Sequence, residues 1–86
     1  MPKVFEWRGY RFFFYSDEGT PLEPVHVHVR KDGAEAKFWL RPFVTVAYNR
    51  GFDAIVLRRL AKEVVDQRDT IEAAWNEHFA GDDRIS

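Results

Sequence analysis

The stretch Val25-His26-Val27-His28-Val29-Arg30, followed at once by Asp32-Gly33, restricts this chain more than any other. Strict alternation of apolar and polar residues is the period of a half-buried β-strand. Asp-Gly is a strong hairpin signal, because a two-residue type I′ turn needs positive φ at both positions and glycine supplies it without a Cβ clash. Counting outward from that turn pairs Val29 with Ala36, Val27 with Phe38 and Val25 with Leu40, an apolar face that goes to the core. The opposite face pairs Arg30 with Glu35, His28 with Lys37 and His26 with Trp39. A slip of one residue would turn all three valines to the polar side, so this register is strongly specified.

A second hairpin precedes it. Phe5, Trp7, Tyr10, Phe12, Phe13, Phe14 and Tyr15 suit a pleated surface, and Arg8-Gly9 reads as the turn. That register sets Trp7 against Tyr10, Phe5 against Phe12, and Glu6 against Arg11 as an opposite-charge pair. Ser16 to Pro24 reads as an exposed loop. Beyond Pro42, Phe43 to Tyr48 is either a further short strand or an irregular packing segment, and Asn49-Arg50-Gly51 reads as a turn. Asp53 is then a helix N-cap, and Leu57, Leu60, Val64, Ile71, Trp75 and Phe79 recur at helical spacing. Gln67 and Arg68 interrupt this stripe, and Asp69-Thr70-Ile71-Glu72 resembles a new capping box. The segment is one long helix or two consecutive ones.

The expectation is an α+β fold: an antiparallel sheet of two β-hairpins, four to five strands in all, packed on a long C-terminal helix or two consecutive helices. Residues 1–80 form a single domain, and 81–86, beyond the helix-closing Gly81, a frayed tail. With 86 residues, 45% of them hydrophobic and 31% charged, the chain builds one modest core. Zero cysteines exclude disulfides, thiol catalysis and cysteine-ligated metals. No apolar run reaches membrane-spanning length, and Met1-Pro2-Lys3 opens no signal peptide, so a cytoplasmic location without membrane contact is expected. A formal net charge of -1 argues against binding nucleic acid through bulk charge but leaves room for a local basic patch. No Gly-rich phosphate loop, HExxH motif or serine elbow occurs, which speaks against nucleotide hydrolysis, zinc proteolysis and ordinary esterase chemistry.

One helical layer covers one face of such a sheet, so the His26, His28, Arg30, Lys37 and Trp39 face meets water, a ligand or a partner. His26 and His28 project from the same side about 7 Å apart, and several readings stay open. In the plainest, both are solvent- or partner-facing and Arg30–Glu35 is a surface ion pair worth little. In the second, two imidazoles share acid and base roles while Lys37 and Arg30 stabilise charge on a phosphate, the parts of a metal-independent ribonuclease. In the third, His26 and His28 chelate a metal with Glu35 or His78 completing the site, although Lys37 opposite is unfavourable to a cation. The fourth is a binding module: Phe13, Tyr15 and Trp39 among Arg11, Arg30 and Lys37 suit single-stranded RNA or a protein partner. Core packing is the competing account of Phe13 and Tyr15, as it is of Trp75 and Phe79. No cofactor is indicated, and exposed strand edges would allow a homodimer.

Several stretches in order resemble the bacterial and archaeal family called domain of unknown function 4160. They are Gly9-Tyr10-Arg11-Phe12, Phe14-Tyr15-Ser16, Pro24 to Val29, Glu35 to Leu40, Asn49-Arg50-Gly51-Phe52, Leu57-Arg58 and Ala74-Trp75-Asn76-Glu77 with Phe79. The resemblance covers Met1 to about Phe79. Relatives often carry a capping Ser and Glu where this chain has Asp53 and Val56, so the reciprocal half of that cap is missing. The resemblance implies a partner, a small protein encoded by a neighbouring gene in a toxin–antitoxin-like arrangement. It implies no reaction.

Overall fold

The computed structural model describes residues 3–16 and 23–79. The proposed frayed tail, the closing Gly81 and most of the loop before Pro24 lie outside the described residues. Five strands, β1 (Lys3–Trp7), β2 (Tyr10–Phe13), β3 (His26–Lys31), β4 (Ala34–Trp39) and β5 (Thr45–Arg50), precede two helices, α1 (Ala54–Asp66) and α2 (Arg68–Phe79). The strands form one antiparallel sheet in sequence order, β1-β2-β3-β4-β5. The architecture is α+β, and of the alternatives left open the chain takes a fifth strand and two helices.

Both hairpins adopt the register that their turns dictate. Asp32 and Gly33 sit at φ 52° and 84°, the left-handed pair a type I′ turn requires. From that turn Val29 faces Ala36, Val27 faces Phe38, and Arg30, His28 and His26 face Glu35, Lys37 and Trp39. The chain extends the pairing by one more bond, with the Leu40 amide donating to the Val25 carbonyl at 3.2 Å. In the first hairpin Trp7 faces Tyr10 and Glu6 faces Arg11, while a bulge near Val4 shifts the pairing of Lys3 to Phe13.

The covered face carries Phe12, Val27, Val29, Ala36, Phe38 and Leu40, all fully buried, against Leu60, Val64, Ile71 and Trp75 of the helices. Burying side chains of this size stabilises by about 1.5–3 kcal/mol each, which is why the sheet holds this orientation. Asp53 caps α1, its Oδ1 accepting from the Val56 amide at 2.8 Å. Gln67, at φ -102° and ψ 16°, ends α1, and its carbonyl accepts from the Ile71 amide at 2.9 Å.

Two local expectations require correction. Asp69 is not an N-cap, because the hydrogen bonding of α2 begins from Gln67 and leaves Asp69 inside the first turn, where its charge still complements the helix dipole. Asn49 and Arg50 are not turn residues but the end of β5, opposite Ala36 and Glu35. The chain bends at Gly51 instead, with the Asn49 side chain bonded to both the amide and the carbonyl of Phe52.

Candidate functional site

The face of the sheet turned away from α1 is built as cross-strand rows. One row runs Glu6–Arg11–Arg30–Glu35–Arg50 from β1 to β5. The next runs Lys3–Phe13–His28–Lys37–Tyr48, and His26 and Trp39 begin a third. A bulge at Ala47 keeps Tyr48 opposite Lys37 while Val46 meets Phe38, the local re-aiming that bulges provide.

The centre of this face is a polar network ending on Glu35. Tyr15 donates to Oε1 at 3.0 Å, Arg30 donates to the same oxygen at 2.8 Å, and Tyr48 donates to Oε2. Arg30 also donates to the Tyr15 hydroxyl at 2.9 Å. The Tyr48 hydroxyl spends its proton on Glu35, so it accepts from His28 Nδ1 at 3.1 Å. Glu35 keeps 14% of its side-chain surface. Burial pushes its carboxyl up, but hydrogen bonds from Tyr48, Arg30 and Tyr15 outweigh that and hold it below the ordinary carboxylate range. Burial, and then the bond to Glu35, pushes the Tyr48 phenol well above its ordinary range. The expected Arg30–Glu35 pairing therefore forms, but as part of a four-residue hub rather than as an isolated surface pair.

The imidazoles are not open to solvent as expected. His26 is fully buried and His28 only 3% exposed. Their ring centroids lie 5.1 Å apart on the same face, so the alternation placed them together as the hairpin predicts. What closes over them is tertiary. Trp39 and Trp75 pack on His26 at 5.3 and 4.8 Å. Phe13 and Tyr15 pack on His28 at 5.5 and 4.5 Å, with Tyr48 at 6.1 Å. His26 Nδ1 donates to the Pro24 carbonyl at 2.8 Å, since a carbonyl only accepts.

Lys37 faces His28 in register, yet its Nζ lies 4.2 Å over the Trp39 ring and 3.4 Å from Glu23. Its charge is already engaged at 14% exposure. His78 sits beside Phe14 and Phe79 in the last turn of α2. Among the described residues no three His, Asp or Glu side chains are grouped to hold a metal ion. Arg11, Arg30 and Arg50 stay exposed along their row, while Tyr48 in the adjacent row and Trp39 one row further are half-buried. Arg30 lies 5.5 Å over Phe13, and Arg50 4.8 Å over Tyr48. Tyr48, Arg50 and Lys3 were missed as site residues. The signal was present, because each occupies a cross-strand position once β1 and β5 join the sheet.

The family model described as "Domain of unknown function (DUF4160)" matches residues 9–76. No curated protein and no solved structure matches the chain. No helix among the described residues is long and apolar enough to cross a membrane.

Proposed function

The chain belongs to the DUF4160 family, and from that premise we propose that it is a non-catalytic binding module for single-stranded RNA, working in the cytoplasm as one component of a toxin–antitoxin-like two-gene pair. The observation that carries this reading is the set of Arg11, Arg30 and Arg50 in one row across the open face, with Glu35, whose carboxylate is taken up by Tyr15, Arg30 and Tyr48, between the last two. At about 4.8 Å per strand it extends roughly 14 Å between its outer members, a track for several phosphates. Tyr48 in the adjacent row and Trp39 one row further offer partly open rings, and stacking plus phosphate contact is how flexible RNA is held.

The surface as a whole favours a polyanion. Lys3, Arg11, Arg30, Lys37 and Arg50 outnumber Glu6, Glu23 and Glu35 on a chain whose net charge is -1. Binding is favoured over cleavage because both imidazoles are buried beneath aromatic rings, where a scissile phosphodiester does not reach them. A general acid or base must come within hydrogen-bond reach of its proton.

The test is fluorescence anisotropy with a labelled single-stranded RNA over a salt series, the RNA then being run on a denaturing gel. Each phosphate contact contributes a slope of about −0.7 in log K against log salt for single strands. The wild type should therefore fall by about 2 per decade of salt, and Arg50→Ala should flatten the slope by about 0.7 with the RNA left intact. Absence of binding at low salt, together with co-purification of the neighbouring gene's product through this face, would transfer the surface to a protein partner. Shortened RNA that survives as full length with His26→Ala/His28→Ala would restore the ribonuclease reading.

A further inference from the structure

We propose that the small cleft between β1, β2 and β3 is a phosphoryl-binding subsite that takes the terminal phosphomonoester of an RNA strand. The cleft measures about 80 Å³ and is lined by Lys3, Arg11, Phe13 and Arg30. Its lining holds three cations, one aromatic ring and no carboxylate. The broader cleft on the helical side, about 410 Å³, mixes Arg8, Arg59 and Lys62 with Glu63 and Asp66, and is self-compensated.

The placement of the cations is costly without a ligand. Arg11 and Arg30 are direct cross-strand partners, and like charges directly opposite one another destabilise a sheet. Arg11 makes no ion pair among the described residues. Glu6, its other cross-strand neighbour, is half-exposed and engaged by Lys3 at 3.4 Å. Such an exposed pair contributes little and yields readily to a stronger anion. Arg30 is the cation of the cleft that other side chains orient. Among the described residues its hydrogen bonds leave from one nitrogen, Nη2, to Tyr15 and Glu35. Among the described residues no partner takes the donors on Nε and Nη1, which can serve an oxyanion, and Phe13 lies beneath the guanidinium at 5.5 Å. A planar guanidinium held in place binds phosphate oxygens with little further loss of freedom.

Charge and size choose the ligand. A phosphomonoester carries close to two negative charges near neutral pH, against Arg11 together with Lys3 and Arg30, which Glu6 and Glu35 compensate in part. A backbone diester carries one charge and needs two open exits for its flanking sugars. The cleft accommodates a phosphoryl group and leaves no room for a nucleoside beside it. A strand whose end is anchored there would run its next phosphates along Arg30 toward Arg50.

The biological ligand rests on the RNA reading above, whereas the cleft does not, and the test separates them. Inorganic phosphate is titrated at constant ionic strength against chloride while thermal unfolding is followed in wild type and Arg11→Ala. In parallel, one RNA sequence is measured with a 5′-phosphate and with a 5′-hydroxyl. Phosphate should raise the wild-type unfolding temperature but not that of Arg11→Ala. The 5′-phosphate should improve binding about tenfold, an advantage lost in Arg11→Ala and kept in Arg50→Ala, where both RNAs weaken together. Phosphate without effect on the wild type overturns the subsite, and so does equal affinity for the two RNA ends. Phosphate stabilisation that needs Arg11 in a protein that binds neither RNA upholds the cleft and removes the RNA reading alone.

Discussion

Replacing Glu35 by glutamine tests the hub of the open face directly. The carboxylate accepts from Tyr15 and Arg30 on one oxygen and from Tyr48 on the other. Hydrogen bonds to a charged acceptor contribute about 1.5–3 kcal/mol each when buried. Arg30, with 44% of its side chain exposed, contributes at the solvent-screened end, below about 1 kcal/mol. Glutamine keeps one acceptor oxygen but turns an NH₂ toward the other phenol or the guanidinium, so one side of the network becomes donor against donor. The expected loss is about 2 kcal/mol at neutral pH. In urea, with a slope near 1 kcal/mol per molar for a small domain, the midpoint should fall by about 2 M. The pH dependence gives a second readout with a definite sign. The folded carboxyl lies below its ordinary range, so its stabilisation is fully present above about pH 5. It is lost as pH falls through the lower, folded value. The gap between wild type and Glu35→Gln should therefore close in acid. Equal midpoints at pH 7, or a gap that fails to narrow on acidification, would refute the assignment of Glu35 as a compensated carboxylate.

Gly51 and Gly33 should respond differently to alanine. Both have positive φ, but a Cβ at Gly33 meets open space whereas one at Gly51 falls 3.0 Å from the Ala34 Cβ. Calorimetry should show a cost near 1 kcal/mol for Gly33→Ala and about 2 kcal/mol or more for Gly51→Ala; equal costs would mean that the Ala34 contact yields freely. An alkaline ultraviolet titration should show Tyr48 ionising above the ordinary phenol range, and Tyr48→Phe should lack that late component. Because its folded pKa is raised, the stability tied to it is present below about pH 10 and is lost as pH rises beyond.

The two-hairpin frame was legible because local chemistry specifies it. Asp32-Gly33 and Arg8-Gly9 fix turns, alternation fixes faces, and a strand has only two faces to choose between. Hence Val27 against Phe38, His28 against Lys37 and Glu6 against Arg11 followed from counting alone. Asp53 as a helix cap and the interruption at Gln67 were equally local. Boundaries set by competition between neighbouring hydrogen-bond systems were not, as Asp69 and the Asn49-Arg50 end of β5 demonstrate.

Which side of the sheet each histidine occupies was thus decided by the amino-acid order, since side-chain direction along a strand alternates and nothing distant alters it. Whether that side is wet was decided elsewhere. The kink at Gln67 brings Trp75 over His26, the chain after β2 lays Tyr15 across His28, and β5 delivers Tyr48 to Glu35. Exposure is a property of everything that packs on a residue, and those contacts come from 13 to 49 positions away along the chain. So the residues that share a face are written locally, while the division of that face into a sealed aromatic centre and an open arginine row exists only once the sheet is complete and the second helix has turned across its end.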